Sequence, residues 1–253
     1  MSLTAIIGGT GLTELKNLNI THKEMVNTPY GAPSGPLTFG NIGDTQVVFL
    51  ARHGYGHTIP PHMVNYRANL WALKEVDVNN VIAVAAVGGI TEQMWPERIA
   101  IPDQIIDYTY GRSQTFFESD LSFVTHIDFT HPYHQGLRQV LLESAKQLEL
   151  DPFDGGVYAA TQGPRLETIA EVNRLERDGC DIVGMTGMPE AALARELDLN
   201  YAVCSLVVNW AAGKGGTDEI SLAEIEKCLD TGMAKVRQIL QTALPLISQK
   251  HMT

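Results

Sequence analysis

A chain of 253 residues with 44% apolar side chains can bury one full core, and its formal net charge of −11 is the wrong sign for a broad nucleic-acid or acidic-membrane surface. The three cysteines, Cys180, Cys204 and Cys228, are odd in number and far apart, which predicts reduced thiols in a cytoplasmic protein rather than a disulfide framework. No basic segment leading into an apolar run opens the chain, and no stretch approaches the length of a membrane span, so a soluble protein without a targeting segment is expected.

The first element is an apolar strand at residues 5–7 that runs directly into Gly8-Gly9-Thr10-Gly11. Three glycines leave main-chain N–H groups approachable around one hydroxyl, the makings of an anion cradle; a tight turn with no ligand is the competing reading. A dinucleotide fingerprint fails on spacing. Counted from Gly9, the small residue needed for close helix packing is replaced by Glu14.

Further strands are predicted at 47–50, 80–87, 104–108, 156–160, 181–185 and 201–208, and helices at 63–74, 135–148, 167–176, 189–196 and 221–244. The runs 82–87 and 202–208 are continuously apolar, as in sheet strands covered on both faces. Pro189 suits a first helical turn, and Ser221 three residues before Glu224 predicts a capping box. The pattern is α/β, a mixed sheet flanked by helices, in one domain spanning 1–253 without repeat or linker. The segment 211–217 is expected to be the most flexible; Lys214 is followed by Gly215, where a P-loop requires Ser or Thr.

Candidate chemistry gathers at predicted strand ends, where open α/β sheets bind ligands. Arg52 and His53 follow the 47–50 strand, a guanidinium and an imidazole able to make planar contacts to phosphate, or an ordinary surface arginine beside a structural histidine. Thr186 lies just beyond the 181–185 strand. His53 with His57 and His131 with His134 are spaced as histidine pairs, but neither has the helical His-Glu-x-x-His context, so no metal site is expected.

Several ordered blocks, Ile6-Ile7-Gly8-Gly9-Thr10-Gly11-Leu12, Leu50-Ala51-Arg52-His53-Gly54, Asn65-Tyr66-Arg67-Ala68-Asn69-Leu70, Gln162-Gly163-Pro164-Arg165, and Met185-Thr186 before Pro189-Glu190, resemble the methylthioadenosine phosphorylase branch of the trimeric purine nucleoside phosphorylases. The resemblance runs from about residue 5 to 247. It implies a homotrimer without cofactor in which inorganic phosphate, a co-substrate, attacks C1′ of a purine nucleoside and releases the base. It also implies a phosphate site of Thr10, Arg52, His53, Thr186 and the N–H of Ala86, with Met185 against the ribose. Ala85 stands where these relatives usually carry a phosphate-contacting threonine.

The same resemblance places the base pocket at Leu166, Glu167, Asn209 and Ala211. Asn209 and Ala211 replace two aspartates of the adenine-specific branch, and Glu167 falls where 6-oxopurine phosphorylases carry a glutamate. An ionised carboxylate accepts the N1–H of hypoxanthine but meets only a lone pair on adenine. A purely electrostatic role for Glu167, opening the next helix, is the alternative. At the sugar end no histidine occurs between His134 and His251; Leu222 and Ile225 would offer an apolar rim to a 5′-methylthio group, and His126 resembles the histidine a neighbouring subunit contributes.

The expected reaction is phosphorolysis of 5′-methylthioinosine to hypoxanthine and 5-methylthioribose 1-phosphate, with Asn209, Glu167 and His53 as catalytic residues. The alternatives are a methylthioadenosine phosphorylase, a general 6-oxopurine nucleoside phosphorylase, and, given Ala85, a purine-binding protein that has lost turnover.

Overall fold

The structure, a computed structural model, describes residues 3–12, 18–119, 122–216 and 219–250. Thr13, Glu14, Thr217 and His251, on which parts of the sequence reading rest, lie outside the described residues.

Eleven strands among the described residues join in one mixed sheet. Its centre is β5 (Val78–Gly89), paired in parallel with β1 (Leu3–Gly8) on one side and β11 (Asn200–Trp210) on the other. Beyond β1 lie β4 (Thr45–Ala51), β3 (Leu37–Ile42) and β2 (Asn19–Glu24). At the far end of β5, Gly88 and Gly89 pair antiparallel with β10 (Ile182–Gly184), which continues to β9 (Val157–Ala160) and β7 (Gln104–Asp107). Strand β6 (Ile99–Ile101) pairs β11, and β8 (Phe153–Asp154) pairs β6.

The period of two sorts the central strands onto two faces. Ala5, Ile7, Val81, Ala83, Val203 and Val207 belong to one buried cluster, which includes residues of α1 (Tyr66–Glu75) and α4 (Gly187–Glu196). Ile6, Ile82, Val84, Ala202, Cys204 and Leu206 belong to the other, with α2 (Gln135–Gln147) and α5 (Leu222–Gln249). Helix α3 (Ile169–Arg177) covers a third, smaller cluster around Val172, Leu175 and Val183. Apolar runs buried on both faces are what such a sandwich requires. Cys180, Cys204 and Cys228 are free and buried.

Four strands, β2, β3, β6 and β8, were not anticipated from the sequence. All residues of β2 are exposed, so burial writes no alternation into its Asn-Ile-Thr-His-Lys-Glu; β6 and β8 are too short to show a period. The expected 63–74 helix begins only at Tyr66, because the Asn65 side chain caps it by accepting from the Ala68 N–H, and Pro61–Met63 forms a separate 3₁₀ turn. In the segment after β11, Lys214 Nζ lies 2.7 Å from Glu176. At α5, Ser221 Oγ accepts from Glu224 N–H, but the reciprocal capping box closes elsewhere, between Thr168 and Glu171 at the head of α3.

Candidate active site

The β1–β5 pairing ends at Ile7 opposite Ala83, whereas β5 continues alongside β11 to Gly89. The chain leaving β1 therefore departs from the sheet beside the second half of β5. In that split, at the carboxyl ends of β1, β4, β5, β10 and β11, lies a cavity of about 430 Å³. Its lining includes Thr10, Arg52, His53, Ala86, Leu166, Glu167, Met185, Thr186, Asn209, Ala211 and Ile225, so residues far apart in sequence and singled out on local signals share one wall. His126 and Leu222 do not line it; both are exposed.

The glycine loop is shaped by close approach. A Cβ on Gly8 would sit 2.0 Å from the Leu12 carbonyl oxygen, and one on Gly9 would sit 2.7 Å from the Val84 carbonyl oxygen and 2.9 Å from Arg52 Nη1. The turn closes with Leu12 N–H donating to Gly9 O at 3.0 Å, which leaves Thr10 at the cavity. No side chain larger than hydrogen fits there without moving backbone.

Arg52 departs from its expected geometry. Its fork was expected to face phosphate, yet Nε and Nη2 donate to Glu190 Oε2 and Oε1 at 2.7 and 2.8 Å, while Nη1 donates to the Val84 carbonyl at 3.1 Å. It is no surface arginine either, being 1% exposed against 0% for Glu190. Burial opposes the guanidinium charge, but Glu190 outweighs it and holds the Arg52 pKa above the ordinary arginine range. Tyr201 completes the group, its hydroxyl donating to Glu190 Oε1 at 2.8 Å.

His53 is nearly buried, and its Nδ1 lies 2.8 Å from the Ile59 carbonyl oxygen. Because a carbonyl only accepts, Nδ1 carries the proton and the neutral ring keeps its lone pair on Nε2. Burial, with the Arg52 charge second, pushes the His53 pKa down to about 4. His53 is therefore uncharged at neutral pH.

Glu167 precedes α3 rather than opening it. The N-cap is Thr168 and the carboxylate serving the helix start is Glu171, which accepts from Thr168 N–H at 2.8 Å, so the electrostatic role considered for Glu167 belongs to Glu171. Glu167 instead faces the cavity wall, and its Oε1 accepts from the Thr161 hydroxyl at 2.6 Å. Asn209 follows an irregularity in β11: Val207 pairs with Val87 and Asn209 with Gly88, so Val208 is an extra residue that re-aims the strand end. Its Nδ2 donates to the Trp210 carbonyl at 2.6 Å, which uses one of the two amide hydrogens.

The apolar rim differs from expectation at one residue. Leu222 is 70% exposed, and Ile220 lines the cavity together with Ile225. With Ser221 as N-cap, residues 220 and 225 hold the two positions of a hydrophobic staple, whereas 222 is the first helical residue and turns outward. Ala85 lines the cavity and pairs across the strands with Ser205, whose buried hydroxyl has no partner among the described residues.

Sequence reasoning missed Glu190, Tyr201, Thr161 and Ile220. Glu190 alone carried a signal, an acidic residue inside the apolar helix that follows Thr186. Among the described residues no cluster of three or more His, Cys, Asp or Glu is arranged to hold a metal, and no helix is long and apolar enough to cross a membrane.

Comparison with known proteins identifies the family. A probable S-methyl-5′-thioinosine phosphorylase of Pseudomonas syringae pv. tomato is 58% identical over 96% of this chain and 99% of its own. The 6-oxopurine nucleoside phosphorylase of Pyrococcus furiosus is 42% identical over 99% of this chain and 95% of its own. Among solved structures, methylthioadenosine phosphorylase from Schistosoma mansoni in complex with adenine superposes with a TM-score of 0.94 at 32% identity, covering 99% of this chain and 93% of that one. The model of the phosphorylase superfamily matches residues 4–245, and with strand ends, glycine loop and cavity arranged as described, the chain belongs to that superfamily.

Proposed function

We propose that the chain catalyses phosphorolysis of S-methyl-5′-thioinosine to hypoxanthine and 5-methylthioribose 1-phosphate. The observation that carries this reading is the Glu167 carboxylate on the cavity wall, with one oxygen engaged by Thr161 and no protein donor among the described residues on the other. The second oxygen can accept the N1–H of a 6-oxopurine. The relatives named probable S-methyl-5′-thioinosine phosphorylase, 49–58% identical over 87–96% of this chain, point the same way.

Cleaving the glycosidic bond leaves positive charge on the sugar and negative charge on the purine, so catalysis needs phosphate held beneath C1′ and hydrogen bonds that strengthen on the departing base. Thr10, Thr186, the Ala86 N–H and Arg52 Nη1 would hold phosphate. Neutral His53 would accept at Nε2 a hydrogen bond donated by a protonated phosphate oxygen. Asn209 would donate its remaining amide hydrogen to the base, Leu166 and Ala211 would bound the base pocket, and Met185 would pack on the ribose. Ile220 and Ile225 would receive the 5′-methylthio group. In the same reading the enzyme is a cytoplasmic homotrimer without cofactor, and His126, exposed on this chain, serves a neighbour's site.

The test is a side-by-side assay of methylthioinosine, methylthioadenosine, inosine and adenosine with and without phosphate. Phosphate-dependent release of hypoxanthine, fastest from methylthioinosine, is expected. Equal cleavage of methylthioadenosine would overturn the base assignment, equal cleavage of inosine the sugar assignment, and no phosphate dependence the reaction itself.

A further inference from the structure

Thr161 follows β9 and is fixed at its backbone before its side chain does anything. Its N–H donates to Gly184 O at 2.8 Å, and its own carbonyl accepts from Arg112 Nη2 at 3.2 Å. Arg112 ties the same loop to the next one, donating also to the carbonyls of Gln162 at 2.8 Å and Met185 at 2.9 Å. The Thr161 hydroxyl thus projects from an anchored position into the wall between the main cavity and a second one of about 370 Å³, and Glu167 borders both.

The hydroxyl has one hydrogen and two acceptors within reach, Glu167 Oε1 at 2.6 Å and Gly184 O at 3.3 Å. The shorter contact, to Oε1, is the one the hydroxyl hydrogen serves. It also fixes which oxygen of Glu167 remains for the cavity. A carboxylate free to rotate could turn away from the base edge; one with Oε1 tied to Thr161 is left with Oε2 as the acceptor for the N1–H of a 6-oxopurine.

Resting on the reading of Glu167 as the residue that meets purine N1, we propose that Thr161 is the positioning residue for base choice: its hydroxyl, donated to Oε1, holds Oε2 of Glu167 toward the base as an acceptor and so selects 6-oxopurine nucleosides over 6-aminopurine ones. Thr161 does not touch the substrate. It acts through the orientation of Glu167.

The experiment compares kcat/KM for methylthioinosine and methylthioadenosine in wild type, Thr161→Val, Thr161→Ser, Glu167→Gln and the Thr161→Val/Glu167→Gln double variant. Thr161→Val keeps the shape and removes the hydroxyl. The methylthioinosine-to-methylthioadenosine ratio should fall about tenfold in Thr161→Val, return in Thr161→Ser, and show no further change when Thr161→Val is added to Glu167→Gln, with phosphate KM unaltered. A fall in both substrates with the ratio intact, or a further change of ratio in the double variant, overturns the role of Thr161. If Thr161→Val does not fold, recovery of the wild-type ratio by Thr161→Ser but not by Thr161→Ala decides the same question. Failure of the underlying reading looks different: Glu167→Gln itself would leave the ratio unchanged.

Discussion

Arg52 and Glu190 form a fully buried bidentate ion pair, Nε to Oε2 at 2.7 Å and Nη2 to Oε1 at 2.8 Å, across 138 residues of sequence. The pair links the end of β4 to α4, the helix that follows Thr186, and so joins two sides of the proposed phosphate site. Its net charge is zero. Phosphate would therefore meet Nη1 and neutral donors rather than an open guanidinium fork.

Removing one partner strands a buried charge. Glu190→Ala should destabilise the fold by roughly 3–5 kcal/mol, read as a shift of the urea midpoint, because Arg52 keeps its charge without a counter-ion. Arg52→Lys should raise phosphate KM at least tenfold with little change in nucleoside KM, since one ammonium cannot serve both Glu190 and the cavity. Phosphate dependence like that of wild type in Arg52→Lys would remove Arg52 from the anion site.

His53 titrates at about 4 when folded, below its ordinary value of 6.5, so the unfolded chain binds the proton more readily between those values. Its contribution is present in full above pH 6.5 and is lost as pH falls toward 4, about 2 kcal/mol between pH 7 and pH 5. Urea titrations of wild type and His53→Leu at both pH values should show a shallower pH dependence in the variant. Parallel pH dependences would contradict the neutral, buried imidazole.

The base wall can be rewritten. Asn209→Asp combined with Glu167→Ser should move preference toward methylthioadenosine by one to two orders of magnitude in kcat/KM, the effect of relieving a mismatch of roughly 1–3 kcal/mol. An unmoved preference would mean that the base is read elsewhere.

The rim tests the sugar. Ile225→Ser places a hydroxyl where Ile220 and Ile225 now line the cavity. It should cost methylthioinosine about tenfold in kcat/KM while sparing inosine, narrowing the gap between them. Leu222→Ser, changing an exposed residue, should alter neither.

Shared active sites would make activity depend on concentration. With His126 serving a neighbour, sedimentation should give a trimer, dilution should lower specific activity, and His126→Ala should raise methylthioinosine KM. A monomer of full activity would rule this arrangement out.

The sequence by itself determined the local features. Apolar runs at β5 and β11 announce strands buried on both faces, and glycines after β1 announce a close approach. Polar residues at strand ends mark where the cavity opens, because an α/β sheet brings its strand ends together whatever lies between them. Ordered blocks resembling nucleoside phosphorylases supplied the expected partners of those residues. Tertiary structure decided which partner each polar group takes. Local sequence does not reveal that Arg52 spends its fork on Glu190, that Thr161 reaches Glu167 across a turn, or that Ile220 replaces Leu222 at the rim. Such choices depend on distances between side chains carried by different elements or on the phase of a helix start. The exposed β2 shows the same limit from the other side: backbone pairing with β3 makes it a strand, and exposed side chains carry no trace of that pairing. Periodicity records what is buried, whereas a hydrogen-bonding partner is chosen only when the packed sheet brings the two groups within about 3 Å.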